Sequence, residues 1–137
     1  MKMPSKIKKE MIAVCGVNCI ACSAYLNTKK PCPGCRAPKE EHTRKSCRDC
    51  LKKDCAFEKG LSWCFACSQF PCSKIKKLNK QYVKNYDIDL IKNGLEAKSN
   101  IEAFLATQLK QFTCTTCGGI IDQHRQICSS CGASFTK

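Results

Sequence analysis

The sequence is short of acidic residues, of histidine, of aromatics and of branched apolar side chains. Only 11 aspartates and glutamates stand against 24 lysines and arginines, and there are two histidines, His42 and His124. No pair of carboxylates is marked by spacing, no glycine-rich phosphate loop occurs, and neither histidine neighbours a recognisable nucleophile. A catalytic constellation is therefore not legible, and a non-enzymatic role is expected. No apolar run reaches the about 18 residues that a membrane-spanning helix needs. None of signal-peptide length follows the basic stretch Met1–Glu10, so a cytoplasmic protein with no membrane contact is expected. Leu, Ile, Val and Phe together number 27 of 137 residues. That fraction borders on the composition of disordered chains. Ordering each backbone residue costs about 1–2 kcal/mol, more than so thin an apolar interior offsets alone.

What the chain does have is 15 cysteines. Disulfides require an oxidising compartment and usually an even count. Reduced cysteines that hold metal fit the odd count better, and one structural zinc contributes about 10–16 kcal/mol of apparent folding free energy. Metal binding also changes the charge. The formal +13 counts cysteine as neutral, whereas a metal-bound cysteine is a thiolate. Fifteen thiolates with three or four divalent ions lower the total to about +4 to +6. The expected protein is moderately basic and not a polycation.

The cysteines divide the chain into four parts: a polar, mobile arm at 1–10, a cysteine-rich metal-binding module at 11–72, a cysteine-free connector at 73–112 and a ribbon at 113–137. In the last part Cys114-x2-Cys117 and Cys128-x2-Cys131 are ten residues apart. Two such turns place four sulfurs tetrahedrally about 2.3 Å from a zinc ion. Gly118, Gly119 and Gly132 let the turns tighten so that amide N–H groups point at the sulfurs. Ile120, Ile121, Ile127 and Phe135 suit the packing of so small a ribbon, and His124 reads as a loop residue between its turns.

The other eleven are Cys15, Cys19, Cys22, Cys32, Cys35, Cys47, Cys50, Cys55, Cys64, Cys67 and Cys72. With His42 they make twelve ligands, enough for two or three further zinc sites. Their pairing stays open, because sequential and cross-braced arrangements use the same spacings. Cys47-x2-Cys50-x4-Cys55 repeats as Cys64-x2-Cys67-x4-Cys72, which suggests two similar turns with basic helices starting near Ala56 and Ser73. Cys15-x3-Cys19-x2-Cys22 has the spacing of the iron–sulfur motif of radical S-adenosylmethionine enzymes, but no repeated strand–helix units follow to build their barrel. A simple iron–sulfur cluster in 11–72 remains an alternative to zinc.

In the connector, Ile75, Leu78, Tyr82 and Tyr86 share one helical face, with lysines over the rest. Asn93-Gly94 reads as a helix stop. A second helix is expected over about 99–111, capped by Ser99 or Asn100 and buried along Ile101, Phe104, Leu105 and Leu109. The whole is a small metal-stabilised α+β chain: a multi-metal N-terminal module, a helical connector and a C-terminal zinc ribbon.

Cys15-Gly16-x2-Cys19-x2-Cys22-x2-Tyr25, Cys32-x-Gly34-Cys35, Cys55-Ala56-x2-Lys59-Gly60, Cys64-x2-Cys67 and Phe70-Pro71-Cys72 together resemble the cysteine-rich family known as domain of unknown function 3795. Its longer type has a helical connector and a C-terminal ribbon, as Phe112 to Gly132 suggest here. The resemblance implies metal binding by these cysteines and nothing about substrate. Two kinds of partner remain open. RNA or a ribonucleoprotein would meet clustered lysines, above all Lys52, Lys53, Lys74, Lys76, Lys77 and Lys80, with Tyr82, Tyr86 and Phe65 as stacking residues. A protein partner would instead dock on Trp63, Phe65 and Phe70.

Overall fold

A computed structural model of the chain describes residues 2–27, 29, 32, 36, 39–41 and 51–134. Within them lie four α-helices: α1 (Leu51–Glu58), α2 (Ser73–Tyr86), α3 (Leu90–Ser99) and α4 (Ile101–Phe112). Two short strands, β1 (Ile121–Asp122) and β2 (Ile127–Cys128), pair antiparallel with Ile121 opposite Cys128 and Asp122 opposite Ile127. Single 3-10 turns occur at Cys19–Ala21 and Cys64–Ala66. This is the small α+β architecture that the periodicities imply.

The helix boundaries follow local chemistry. α2 ends where Asp87 turns left-handed (φ 56°) and its N–H returns to the carbonyls of Tyr82 and Val83. Two residues later Asp89 caps α3 by accepting the Lys92 N–H at 3.1 Å. Asn79 on α2 accepts the Leu90 N–H at 2.6 Å, which fixes the angle at which α3 departs. Asn100 caps α4 by accepting the Ala103 N–H at 3.1 Å. Each side-chain oxygen satisfies an amide that the first helical turn leaves without a partner.

Three expectations are corrected. Asn93-Gly94 does not stop a helix, because α3 runs through it and Gly94 is buried. A Cβ at Gly94 would lie 2.7 Å from Phe70 Cζ and 3.2 Å from Phe65 Cβ, so the missing side chain serves close packing of α3 on two aromatic rings. The helix after the first cysteine repeat begins at Leu51, upstream of Cys55 and not near Ala56. The segment 1–10 is not a free arm. Lys2 bridges Gly119, the Met3 N–H donates to Gly118 O at 3.0 Å, and Ile7 is 1% exposed.

The interior consists of three apolar clusters, and the largest joins every region. Ala13, Val17 and Ala21 from the first cysteine loop meet Leu90 of α3, Phe112 of α4, and Cys114, Ile121 and Cys128 of the ribbon. A second cluster sets Ile7, Ile12 and Ile20 against Phe65, Phe104, Leu105 and Ile120. Val14, Ala56, Cys64 and Ile75 form a third, small one. The expected faces of α2 and α4 supply these contacts, with Ile75, Phe104 and Leu105 buried. No helix among the described residues is long and apolar enough to cross a membrane.

Candidate metal centre

The ribbon forms because three backbone pairings stack in sequence. Thr113 bridges Ile120, β1 pairs with β2, and Ile127 bridges Ser134. The Cys114 N–H donates to Gly119 O at 2.8 Å and the Gly118 N–H returns to Cys114 O at 2.9 Å, closing the first cysteine turn. The Gly132 N–H donates to Cys128 O at 3.0 Å and closes the second. Gly119 must be glycine, since a Cβ there would fall 2.8 Å from Ser130 Cβ and 3.1 Å from Cys128 Sγ.

These turns bring Cys114, Cys117, Cys128 and Cys131 together, with all four sulfurs within 4.8 Å of one another. Among the described residues no other group of three or more potential ligands converges so closely. Cys114 Sγ lies 3.8 Å from Cys131 Sγ, and Cys117 Sγ lies 3.5 Å from Cys128 Sγ. A tetrahedron of sulfurs at a metal–sulfur distance of about 2.3 Å has edges of about 3.8 Å, so the spacing suits one ion at its centre. No disulfide joins the described cysteines. Amide donors surround the sulfurs as a metal-thiolate site requires. Gly119 N–H reaches Cys117 Sγ at 3.3 Å, and Ser130 N–H and Cys131 N–H reach Cys128 Sγ at 3.4 and 3.5 Å.

The protonation of the four thiols follows from this. Burial pushes the Cys128 thiol up, but hydrogen bonds from the Cys131 and Ser130 amides, with help from Cys117 and Cys114, outweigh it and bring it down to about 6. At Cys131 the Ala133 amide favours the thiolate, yet burial and the three neighbouring sulfurs prevail and raise it to about 11. Four crowded thiols thus cannot all ionise unless a cation shares the space. The cluster could hold a metal ion.

The ribbon is clasped to the first cysteine motif. Ser23 Oγ donates to the Asp122 carboxylate at 2.7 Å, and the Ser23 N–H donates to His124 Nδ1 at 3.2 Å. His124 Nε2 lies 2.9 Å from the Tyr82 hydroxyl, and its ring meets Tyr86 edge-on at 4.9 Å. His124 is therefore a joint between α2, the ribbon and the Cys19–Cys22 turn. Burial, with added charge from Cys15, Cys22, Tyr86 and Cys19, pushes the Tyr82 hydroxyl up. Beneath the clasp Asn18 is 3% exposed. Its side-chain amide donates to Gln108 Oε1 at 3.2 Å and its side-chain oxygen accepts from Ile20 N–H at 3.1 Å, while Gln123 Nε2 donates to its backbone carbonyl at 2.9 Å. A sequence signal did exist, for Asn18 is the one amide side chain in the run Ile12–Ala21. Replacing Asn18 by alanine takes the side-chain partner from the buried Gln108 Oε1 and from the Ile20 N–H, while Gln123 keeps the backbone carbonyl. The expected cost is about 1–3 kcal/mol, read as a shift of the urea unfolding midpoint at unchanged slope.

The remaining candidates divide. Cys15, Cys19, Cys22, Cys32, Cys55, Cys64, Cys67 and Cys72 are described but do not close within the distance that the ribbon sulfurs reach. Cys35, His42, Cys47 and Cys50 lie outside the described residues, as does Phe135. Lys74, Lys76, Lys77 and Lys80 are exposed and Lys52 is half-buried, but Lys53 is 3% exposed and is withdrawn from any polyanion-facing set. The stacking residues also move inward. Phe65 is core, packed in parallel on Trp63 at 5.3 Å, and Tyr82 and Tyr86 are committed to His124. Trp63 carries Arg36 on its ring at 5.1 Å and donates its Nε1–H to Ile12 O at 3.1 Å, so the aromatic group is an interior fixture more than a docking patch.

Fold and site together define a small cysteine-rich α+β protein with a four-thiol centre at its C-terminal end. Residues 11–77 match the family described as protein of unknown function (DUF3795), so this part of the chain is similar to that family. The helices from Leu78 onward and the ribbon lie beyond the matched segment. No curated protein and no solved structure matches the chain.

Proposed function

We propose that the chain is a zinc-scaffolded, non-enzymatic protein that binds nucleic acid, with RNA as the favoured form. Zinc suits a closed tetrahedral four-thiolate set, and such sites serve structure when no ligand position is left open. The observation that carries the partner is α2. Its sequence SKIKKLNKQYVKNY has five lysines and no acid. All five lysines are exposed, and the opposite face is held in place by Ile75, Leu78, Tyr82 and Tyr86. Among the described residues no carboxylate forms an ion pair with them; Lys6–Glu102, at 3.6 Å, lies elsewhere. A rigid row of unpaired cations recognises phosphate by charge and by geometry. Aromatic stacking has no part in this reading, since the tyrosines of α2 face inward.

The test is retention on immobilised structured RNA. The triple variant K76E/K77E/K80E should lose at least about tenfold in affinity at low salt, with a shallower dependence of binding on salt concentration. Its circular dichroism should remain that of the parent, because these side chains touch no core. Unchanged retention would transfer the choice to a protein partner. Brown protein with iron and no zinc after anaerobic purification would replace the zinc scaffold with a cluster carrier.

A further inference from the structure

The sequence leaves the pairing of Cys55, Cys64, Cys67 and Cys72 open, and their placement in the fold bears on it. All four line one small cavity of about 50 Å³, with Lys59 and Lys74 at its rim. That volume suits a single ion and excludes an organic cofactor. The four sulfurs arrive from three pieces of backbone. Cys55 sits on α1, Cys64 and Cys67 lie at either end of the 3-10 turn Cys64–Ala66, and Cys72 is the N-cap of α2. The Cys64 N–H donates to Val14 O at 2.8 Å and the Cys67 N–H to Cys64 O at 3.0 Å, which holds the turn against the core.

A second, independent observation is the local hydrogen bonding of sulfur. In the ribbon, the amide two residues after a cysteine donates to its sulfur, at 3.3 Å for Gly119 to Cys117 and 3.4 Å for Ser130 to Cys128. The Gln69 N–H repeats this at Cys67 Sγ, at 3.5 Å. The Lys59 ammonium adds a second donor to the same sulfur at 3.5 Å. Four thiolates around a divalent ion carry two excess negative charges, and lysines at the rim offset them.

We infer that Cys55, Cys64, Cys67 and Cys72 form a second four-thiolate site for a thiophilic divalent ion of the zinc class. The site draws one ligand from the first cysteine repeat and three from the second, so the two repeats are not two separate sites. The four sulfurs are more widely spaced than those of the ribbon, and occupancy draws them inward. The inference rests on metal as the scaffold of this chain and is independent of the lysine face.

The experiment uses the full chain, purified anaerobically and titrated with cobalt(II), whose thiolate charge-transfer and ligand-field bands report the number of sulfur ligands. The parent chain, C55S, C72S and the ribbon variant C128S/C131S are compared. C55S and C72S should each weaken the same cobalt equivalent by roughly 10–100-fold and convert its bands from a four-sulfur to a three-sulfur pattern. The ribbon equivalent should persist in both, and C128S/C131S should retain the equivalent that C55S perturbs. The inference is overturned if C55S and C72S perturb different equivalents, or if neither alters cobalt binding. Alkylation mapping of the parent chain during zinc removal avoids any folding defect of a variant. Cys55, Cys64, Cys67 and Cys72 should become reactive as one kinetic group, and separation of Cys55 from Cys72 sinks the assignment.

Discussion

Chelation under reducing conditions is expected to abolish cooperative unfolding of the entire chain and not of the ribbon alone. Cys114 and Cys128, each 2% exposed, belong to the same apolar cluster as Ala13, Val17, Ala21 and Leu90. When four thiols lose their shared cation they repel and rehydrate, and that cluster opens from its C-terminal side. A structural ion of this type contributes about 10–16 kcal/mol. A domain's whole stability is about 5–15 kcal/mol, so the remaining contacts do not compensate. Trp63 provides the readout, because it packs against the second cluster, which Ile120 joins to the ribbon. Its emission should move to the red as the ribbon metal is withdrawn, and thermal unfolding should lose its sharp transition. Metal uptake displaces thiol protons, so acidification should have the same effect as chelator. A chain that stays cooperative after exhaustive chelation is held by its apolar interior and not by sulfur.

Gly94→Val is expected to be the most damaging single substitution outside the cysteines, at about 3 kcal/mol or more. The position lies in the second turn of α3, where an alanine would gain helix propensity on an exposed face. Here the added Cβ alone lies 2.7 Å from Phe70 Cζ, and Val adds two methyl groups in the same gap. The half-buried Phe70 ring packs against two of the three apolar clusters, which restricts how far it can move aside. Equilibrium urea unfolding of the metal-loaded chain measures the loss. Gly94→Ala should fall between the parent and the valine variant, and equal stability of all three would show that α3 shifts away at little cost.

The contrast between Gly94 and Gly119 shows what was legible. The ribbon could be read because its chemistry is local. Four cysteines and three glycines within nineteen residues dictate the turns, the amide donors and the sulfur spacing. The faces of α2 and α4 were legible for the same reason, since helical periodicity is a property of one segment. Gly94 misled because its reason for being glycine, two phenyl rings, lies more than twenty residues away in the chain. His124 and Asn18 were opaque likewise. Their partners Ser23, Tyr82, Gln108 and Gln123 come from four segments that only the folded chain assembles. The lysines were found by composition, but composition could not tell that Lys53 turns inward while Lys76, Lys77 and Lys80 do not.

Met3 hydrogen-bonds to Gly118, and Lys2 to the Cys117 carbonyl. Vectorial synthesis therefore makes one partner of this seam early and the other more than a hundred residues later. Until the second partner leaves the ribosome, Ile7 and Ile12 have no Ile120 to cover them. The nascent chain must wait, with these two isoleucines short of a cover, for its closing clasp.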